Sequence, residues 1–380
     1  MGKQKIFVIS VGRSDYDRYY PILDALHKRK KVSLNLVVTE SHSNPLYGKT
    51  LSFIDKKFNI LKNKYKNNNS KNLVEILASD ILFLNRLIIK YKPCKIIVLG
   101  DRYEMLIGPI AAIPYNIPII HFYGGAVTLG ATDELVRHAI TKMSHFHFPL
   151  IKEYQNRLLQ LGEENWRIKS IGMHELNNLK KSVIEKKLLN KKLNFDFNLP
   201  FILFTFHPTT LELNQLDYQI ANLIQAIKSS KLNAVITYPN ADPKNLKIIK
   251  WIENKFKDKK KYILIKNCGK EIYSSFLKYC EFVIGNSSSG IVEAASFYKP
   301  AINIGSRQDG KLKPRNVINC GYSQKSIKTA IKKALNPSFA KKIYKVRNPY
   351  EEKVKIKKVI DMIVSIKNND KTLRKIFKNR

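Results

Sequence analysis

Short apolar runs recur along this chain, each followed by a longer stretch whose apolar residues return at helical spacing. Lys95-Ile96-Ile97-Val98-Leu99-Gly100 is the clearest of these runs. A strand apolar on both faces is buried between two helical layers, and strand–helix alternation is the mark of parallel βαβ units. In the first half the pattern predicts strands at residues 5–11, 33–39, 95–100, 117–122, 145–148 and 167–172. Helices are predicted over 17–30, 72–91, 102–115, 133–143 and 152–161, with 63–72, rich in Lys and Asn, as an exposed loop. A Lys-rich stretch, 179–199, ends at Asn198-Leu199-Pro200 and reads as a linker, after which the alternation restarts. Strands follow at 201–206, 234–238, 262–266, 281–284 and 300–304, with helices at 214–228, 243–256, 270–278 and 289–297.

The expected architecture is α/β, with two Rossmann-like domains of parallel sheet facing across a ligand cleft. Residues 1–178 form the first domain, 200–350 the second, and 351–380 a basic helical tail. A chain of 380 residues suits two domains, because single cores stop growing near ~250–300 residues.

Composition narrows the function classes. No apolar run approaches the ~20 residues of a membrane helix, so no stable membrane insertion is expected. The amino terminus enters a strand at once and carries no signal-peptide pattern. Cys94, Cys268, Cys280 and Cys320 show no C-x-x-C pairing, which argues against zinc or a disulfide framework and for a reducing cytoplasm. The net charge of +38 is mostly dispersed Lys. Arg, which makes bidentate base contacts, is much rarer, and no aromatic-basic motif is present; no nucleic-acid partner is expected. A positive surface still draws an anionic substrate.

Ligands of open parallel sheets lie beyond the carboxyl ends of the strands, and four segments place unusual residues there. Gly12-Arg13-Ser14-Asp15-Tyr16 follows the first strand, where Arg13 can reach a phosphate or simply cover a turn. Gly100-Asp101-Arg102-Tyr103-Glu104 puts Asp101 where a catalytic carboxylate projects, a place that also suits a helix N-cap. Next come His121-Phe122-Tyr123-Gly124-Gly125-Ala126 and the start of a helix, Asp133, Glu134, Arg137 and His138. Glu134 lies four residues before His138, a pair that can couple protonation states, although a solvated helix end would look the same. In the second half, His207-Pro208, Asn240 and Gly285-Asn286-Ser287-Ser288-Ser289-Gly290 lie at strand ends, with Glu293 a turn further on. A small-residue loop of this kind can cradle a diphosphate, or be a plain turn with an Asn cap.

Taken together, G-R-S-D-Y, G-D-R-Y-E, G-G-x-V-T-x-G-A-T-D-E-L-V-R-H-A-I-T-K, F-H-P-T-T-L-E and G-N-S-S-S-G-I-V-E-A resemble the hydrolysing UDP-N-acetylglucosamine 2-epimerases of sialic- and legionaminic-acid pathways. The resemblance runs from about Ile6 to Val317. It implies the GT-B fold and a reaction with no metal and no cofactor. The nucleoside diphosphate is eliminated across C1–C2 to a 2-acetamidoglycal, and hydration then gives the free manno-configured sugar. By motif position, Arg13, His42, Tyr123, Asn240, Asn286, Ser287, Ser288, Ser289, Glu293 and Arg307 are implied as substrate-binding residues. Asp101, Asp133, Glu134, Arg137, His138 and His207 are implied as catalytic, and self-association as a dimer or tetramer is implied as well. The chain departs from the pattern in one place. Relatives carry Glu in or just before the double-glycine loop, where Tyr123 and Ala126 stand here. That departure keeps open an altered chemistry, or a nucleotide-sugar-binding protein without turnover.

Overall fold

The computed structural model describes residues 2–39, 42, 50–63, 73–129, 133–239, 242–344, 347–351 and 353–379, apart from the side chains of Arg13, Ser14 and Thr50. The chain forms two compact units. Unit 1 is Met1–Ala126, Asp133–Glu175 and Glu352–Arg380, and unit 2 is Val127–Thr132 and Leu176–Glu351.

Unit 1 is built on strands β1 (Gln4–Ser10), β2 (Val32–Val38), β3 (Asn59–Lys62), β4 (Lys95–Leu99), β5 (Ile119–Phe122) and β6 (Phe146–Phe148). They pair in parallel in the order β3-β2-β1-β4-β5-β6. Ile6 through Ile9 and Ile96 through Val98 are wholly buried, because both faces of the central strands are covered. The unit's helices include α1 (Arg13–His27), α2 (Leu73–Tyr91), α3 (Ile107–Ala112) and α4 (Asp133–Met143), of which α1 and α4 carry site residues.

Unit 2 repeats the plan with β7 (Phe201–Thr205), β8 (Asn233–Thr237), β9 (Tyr262–Ile265), β10 (Val283–Gly285), β11 (Ala301–Ile304) and β12 (Val317–Cys320). Their parallel order is β12-β11-β10-β7-β8-β9. Phe204, Leu223, Ile248, Ile284 and Ile304 belong to the apolar core on this sheet.

Several elements differ from the pattern expected of the sequence. The segment 167–172 runs beside β6 with Lys169 N–H on His147 O and Ile171 N–H on Pro149 O, but only the Ile168 bridge forms. Pro149 has no N–H to return, so the ladder ends. Edge strands β3 and β12 are additional: β3 is at most half-buried and β12 buries Ile318 alone, and Asn-Ile-Leu-Lys and Val-Ile-Asn-Cys make no apolar run. The helix expected over 102–115 is split into a 3₁₀ turn, α3 and a second 3₁₀ turn, Ile113–Tyr115, around Pro114. The expected linker carries helices Glu175–Lys181 and Lys186–Leu193, and Leu189 is buried in unit 2. The loop 64–72 lies outside the described residues.

The C-terminal residues are part of unit 1 rather than an appendage. Helix Ile356–Ser365 buries Val359, Ile360 and Ile363 and packs on α1. Buried cations fasten the end of this helix and the residues after it. Lys95 Nζ reaches Val364 O at 3.3 Å, and Arg167 donates to the carbonyls of Lys371, Thr372 and Arg374 at 2.8–2.9 Å. Cations at helix carboxyl ends answer both the unpaired carbonyls and the dipole. Among the described residues no helix is long and apolar enough to cross a membrane.

Each sheet reverses its winding direction once, between β1 and β4 in unit 1 and between β7 and β10 in unit 2. Strand order splits at these points, leaving the crevice where open α/β sheets bind ligands. The four strands concerned end one to three residues before Arg13, Asp101, His207 and Asn286.

Candidate active site

In unit 1 the centre of the site is a buried guanidinium. Arg137, on α4, is 1% exposed. Its Nε donates to Asp101 Oδ2 at 3.1 Å and its Nη1 to Ala126 O at 2.8 Å, while Nη2 and Nη1 also pair with Asp101 and Glu134. Burial opposes the charge, but the two carboxylates outweigh it and raise the guanidinium's pKa. One side chain thus joins the loop after β4, the double-glycine loop and the first turn of α4. Glu134 also lies 2.9 Å from His138 Nε2, and His138 is half exposed. Asp133 and Glu134 occupy the first turn of α4, where the helix dipole favours anions. Asp101, Glu134, Arg137 and His138 are therefore brought together as one hydrogen-bonded group. Glu134 and His138 are its more exposed members, and Arg137 holds the group in place.

The double-glycine loop contributes backbone and no carboxylate. Tyr123 adopts φ +66°, which is unusual for a bulky residue, and is buried against Phe122. Burial pushes its phenol well above the ordinary range, which rules it out as a base at neutral pH. Gly125 has φ +76°, and a Cβ there would collide with the carbonyl of Tyr154. Ala126 offers only the carbonyl that Arg137 takes.

His42 is turned inward. Its Nε2 lies 2.9 Å from Ser10 Oγ at the end of β1, and burial lowers its pKa to about 4, so it stays neutral. The backbone of Arg13 opens α1. A residue that the motif pattern leaves unassigned lies beside it. Asp15 is buried, and its Oδ2 has no hydrogen-bond partner among the described residues. Burial pushes its pKa up to about 6, while Arg102 and Arg18 pull the other way. It stands inside the G-R-S-D-Y string, but burial of a carboxylate one turn into a helix is not visible in sequence.

In unit 2 the site residues are tied by Asn286. Its side chain accepts from His207 N at 2.7 Å and donates to His207 O at 2.8 Å, joining the ends of β7 and β10. Its own carbonyl accepts from Gln308 Nε2 at 2.9 Å and Arg307 Nη1 at 3.2 Å. Asp242 lies 3.5 Å from Arg307 and 3.9 Å from His207. Ser287 caps the short helix Ser288–Val292, Glu293 ends it, and Ser289 pairs with Tyr273. Sequence reasoning missed Glu212, whose carboxylate accepts from Tyr322 and Gln219 at 2.8 Å and from Ser306, bracing the Arg307 loop. Asn240 lies outside the described residues.

A family model described as UDP-N-acetylglucosamine 2-epimerase matches residues 24–364. The chain belongs to this family. Among curated relatives of this epimerase family member, one from Campylobacter jejuni, named GDP/UDP-N,N'-diacetylbacillosamine 2-epimerase (hydrolyzing), is 35% identical over 84% of the chain and 85% of its own length. Another, from Legionella pneumophila, named UDP-N,N'-diacetylbacillosamine 2-epimerase (hydrolyzing), is 31% identical over 88% and 89%. A crystal structure described as UDP-GlcNAc 2-epimerase from Neisseria meningitidis bound to UDP-GlcNAc superposes with a TM-score of 0.78 at 20% identity, covering 95% of this chain and 98% of that one. That likeness shows the fold, GT-B, with a parallel six-stranded sheet in each unit. This epimerase family member is an enzyme of the same type as its curated relatives.

Proposed function

We propose that this enzyme is a hydrolysing 2-epimerase that converts a UDP-2-acetamido sugar to the free manno-configured sugar and UDP. UDP-N,N'-diacetylbacillosamine is the first substrate to test and UDP-N-acetylglucosamine the second, since two relatives above 30% identity carry the former in their names. The observation that carries the reading is the Asp101–Arg137–Glu134–His138 group beside the β1/β4 reversal.

The chemistry has two stages. A base takes the C2 proton, the C2–H electrons form the C1=C2 bond, and the C1–O bond breaks with its electrons leaving on UDP. Water then adds its hydroxyl to C1 and a proton to C2 from the opposite face. Glu134 and His138, in mutual hydrogen-bond contact and open to solvent, suit the proton transfers. Arg137 and Asp101 hold them in register. In unit 2, Arg307 and the hydroxyls of Ser287 and Ser288 are assigned to the diphosphate, with Glu293 toward the ribose and His207 near the leaving group. The proposal extends to nonulosonic-acid synthesis in the cytoplasm. It also extends to a homo-oligomer joined through the apolar outer face of α2, where Val74, Leu82 and Ile89 are exposed.

Ala126 supports a second reading, a nucleotide-sugar-binding protein without turnover. Incubation with each UDP-sugar and analysis of products separates the two. Free 2-acetamido sugar plus UDP supports hydrolysis. An equilibrating pair of UDP-sugars would sink it, and UDP binding with no product would favour the second reading.

A further inference from the structure

The acid–base group of unit 1 is assembled from three separate segments: the loop after β4, the double-glycine loop and α4. Arg137, itself buried, joins them, and a second side chain does so as well. His121, in β5, is wholly buried; its Nε2 lies 2.8 Å from Gly100 O and its Nδ1 3.2 Å from Thr141 Oγ1 on α4. The ring also sets the double-glycine loop, since a Cβ at Gly124 would stand 2.8 Å from Nδ1 and 3.2 Å from Thr141 Oγ1. Burial lowers the imidazole's pKa to about 3, so it is neutral at any working pH.

A neutral imidazole has one N–H. Gly100 O can only accept, so Nε2 carries the hydrogen and Nδ1 accepts from the Thr141 hydroxyl. The tautomer is thereby set. Gly100 is the residue before Asp101, so the donated hydrogen bond pins the peptide that presents Asp101 to Arg137. The far end of α4 is held from the tail: Lys375 Nζ donates to the carbonyls of Thr141, Lys142 and Ser144 at 3.3, 2.9 and 2.7 Å. The other titratable ring facing His121 is His147 on β6, with centroids 6.4 Å apart.

We propose that His121 is a positioning residue for the epimerase reaction, its ring holding Gly100, Gly124 and Thr141 in the register that the Asp101–Arg137–Glu134 group requires. The proposal rests on the functional reading above. His121 acts through Asp101 and α4, so its loss removes alignment of the reacting groups while the nucleotide-holding residues of unit 2 are left intact.

The test compares His121→Phe, which keeps the ring's bulk without its hydrogen bonds, with His121→Gln, whose amide can restore the donor to Gly100. Turnover of UDP-N,N'-diacetylbacillosamine by the parent is measured first. In His121→Phe kcat is expected to fall about 100-fold with KM changed less than about threefold, and His121→Gln to recover at least about tenfold of that loss. Crystal structures of the parent and both variants give a readout independent of turnover. The Asp101 Oδ2–Arg137 Nε distance should open past about 3.5 Å in His121→Phe and close again in His121→Gln. If His121→Phe does not fold, Thr141→Val removes the hydroxyl alone and is expected to lower kcat about tenfold with the same KM. A parent that releases no UDP defeats the functional reading only, and the positioning role is then judged on the crystal structures. Unchanged kcat in a folded His121→Phe, or an unmoved Asp101–Arg137 pair, overturns the role.

Discussion

Arg137 and Asp101 form an ion pair in which both Nε, at 3.1 Å, and Nη2 of the guanidinium meet the same carboxylate oxygen, Oδ2. Glu134 takes Nη1, so one cation shut away from water satisfies two carboxylates from different segments. Arg137→Met would leave both part-exposed carboxylates without that partner, and loss of such charge-assisted hydrogen bonds costs about 1.5–3 kcal/mol. Chemical denaturation of the variant should show that loss, with kcat down at least about 100-fold. Arg137→Lys should recover little of either, since an ammonium cannot span the same geometry. A variant as stable and active as the parent would show that the pair is ornamental.

The loop without a carboxylate makes a second prediction. Ala126 is half-buried and next to Arg137, whereas Tyr123 is buried and held at φ +66°. Ala126→Glu should fold, and should raise turnover about tenfold or more if a loop base limits the rate. Tyr123→Glu should lower the melting temperature and the soluble yield, because it places a charge where there is no water. Equal turnover in Ala126→Glu and the parent would mean that Asp101, Glu134 and His138 suffice.

Asp15 sets a pH dependence of stability. Its pKa is about 6 in the folded state against 3.8 unfolded, so between these values the folded protein keeps a proton that the unfolded chain has lost. Stability therefore falls as pH rises from about 4 to about 6 and stays lower above it. Asp15→Asn removes this effect. Urea unfolding should show the variant more stable than the parent by roughly 2–3 kcal/mol at pH 7.5 and about equal at pH 4. A variant that loses stability at pH 7.5 would show that the carboxylate is held ionised.

The latch in unit 2 separates binding from chemistry. Asn286→Ala breaks two hydrogen bonds to the His207 backbone, at a cost of about 2–4 kcal/mol. It also frees the backbone that Arg307 and Gln308 grip. KM for the UDP-sugar should rise about tenfold, with kcat less affected. Steady-state kinetics and isothermal titration with UDP check this; unchanged UDP affinity would detach Arg307 from the nucleotide.

Much of the fold is legible in the sequence because the central strands are covered on both sides. Ile6–Ile9, Ile96–Val98 and Phe201–Phe204 are apolar at every position, and that pattern is unmistakable. Strands β3 and β12 escape it because, at the sheet edge, β3 buries no residue fully and β12 only Ile318. The tail reads as a basic helix because its lysines dominate the string. Its attachment to unit 1 depends on Lys95, Arg167 and Lys375, cations far apart in sequence that meet particular carbonyls.

The site divides in the same way. Local order alone determined that Asp133, Glu134, Arg137 and His138 share one helix end, and that Asn286 and the serines follow a strand. Spacing along a helix or a turn is a short-range property. Only the tertiary structure decided that Arg137 would be buried and shared between Asp101 and Glu134, that Asn286 would grip His207, and that His121 would join two loops and a helix. Those contacts form when segments about 20 or more residues apart are packed without water, and burial then sets which groups keep their protons.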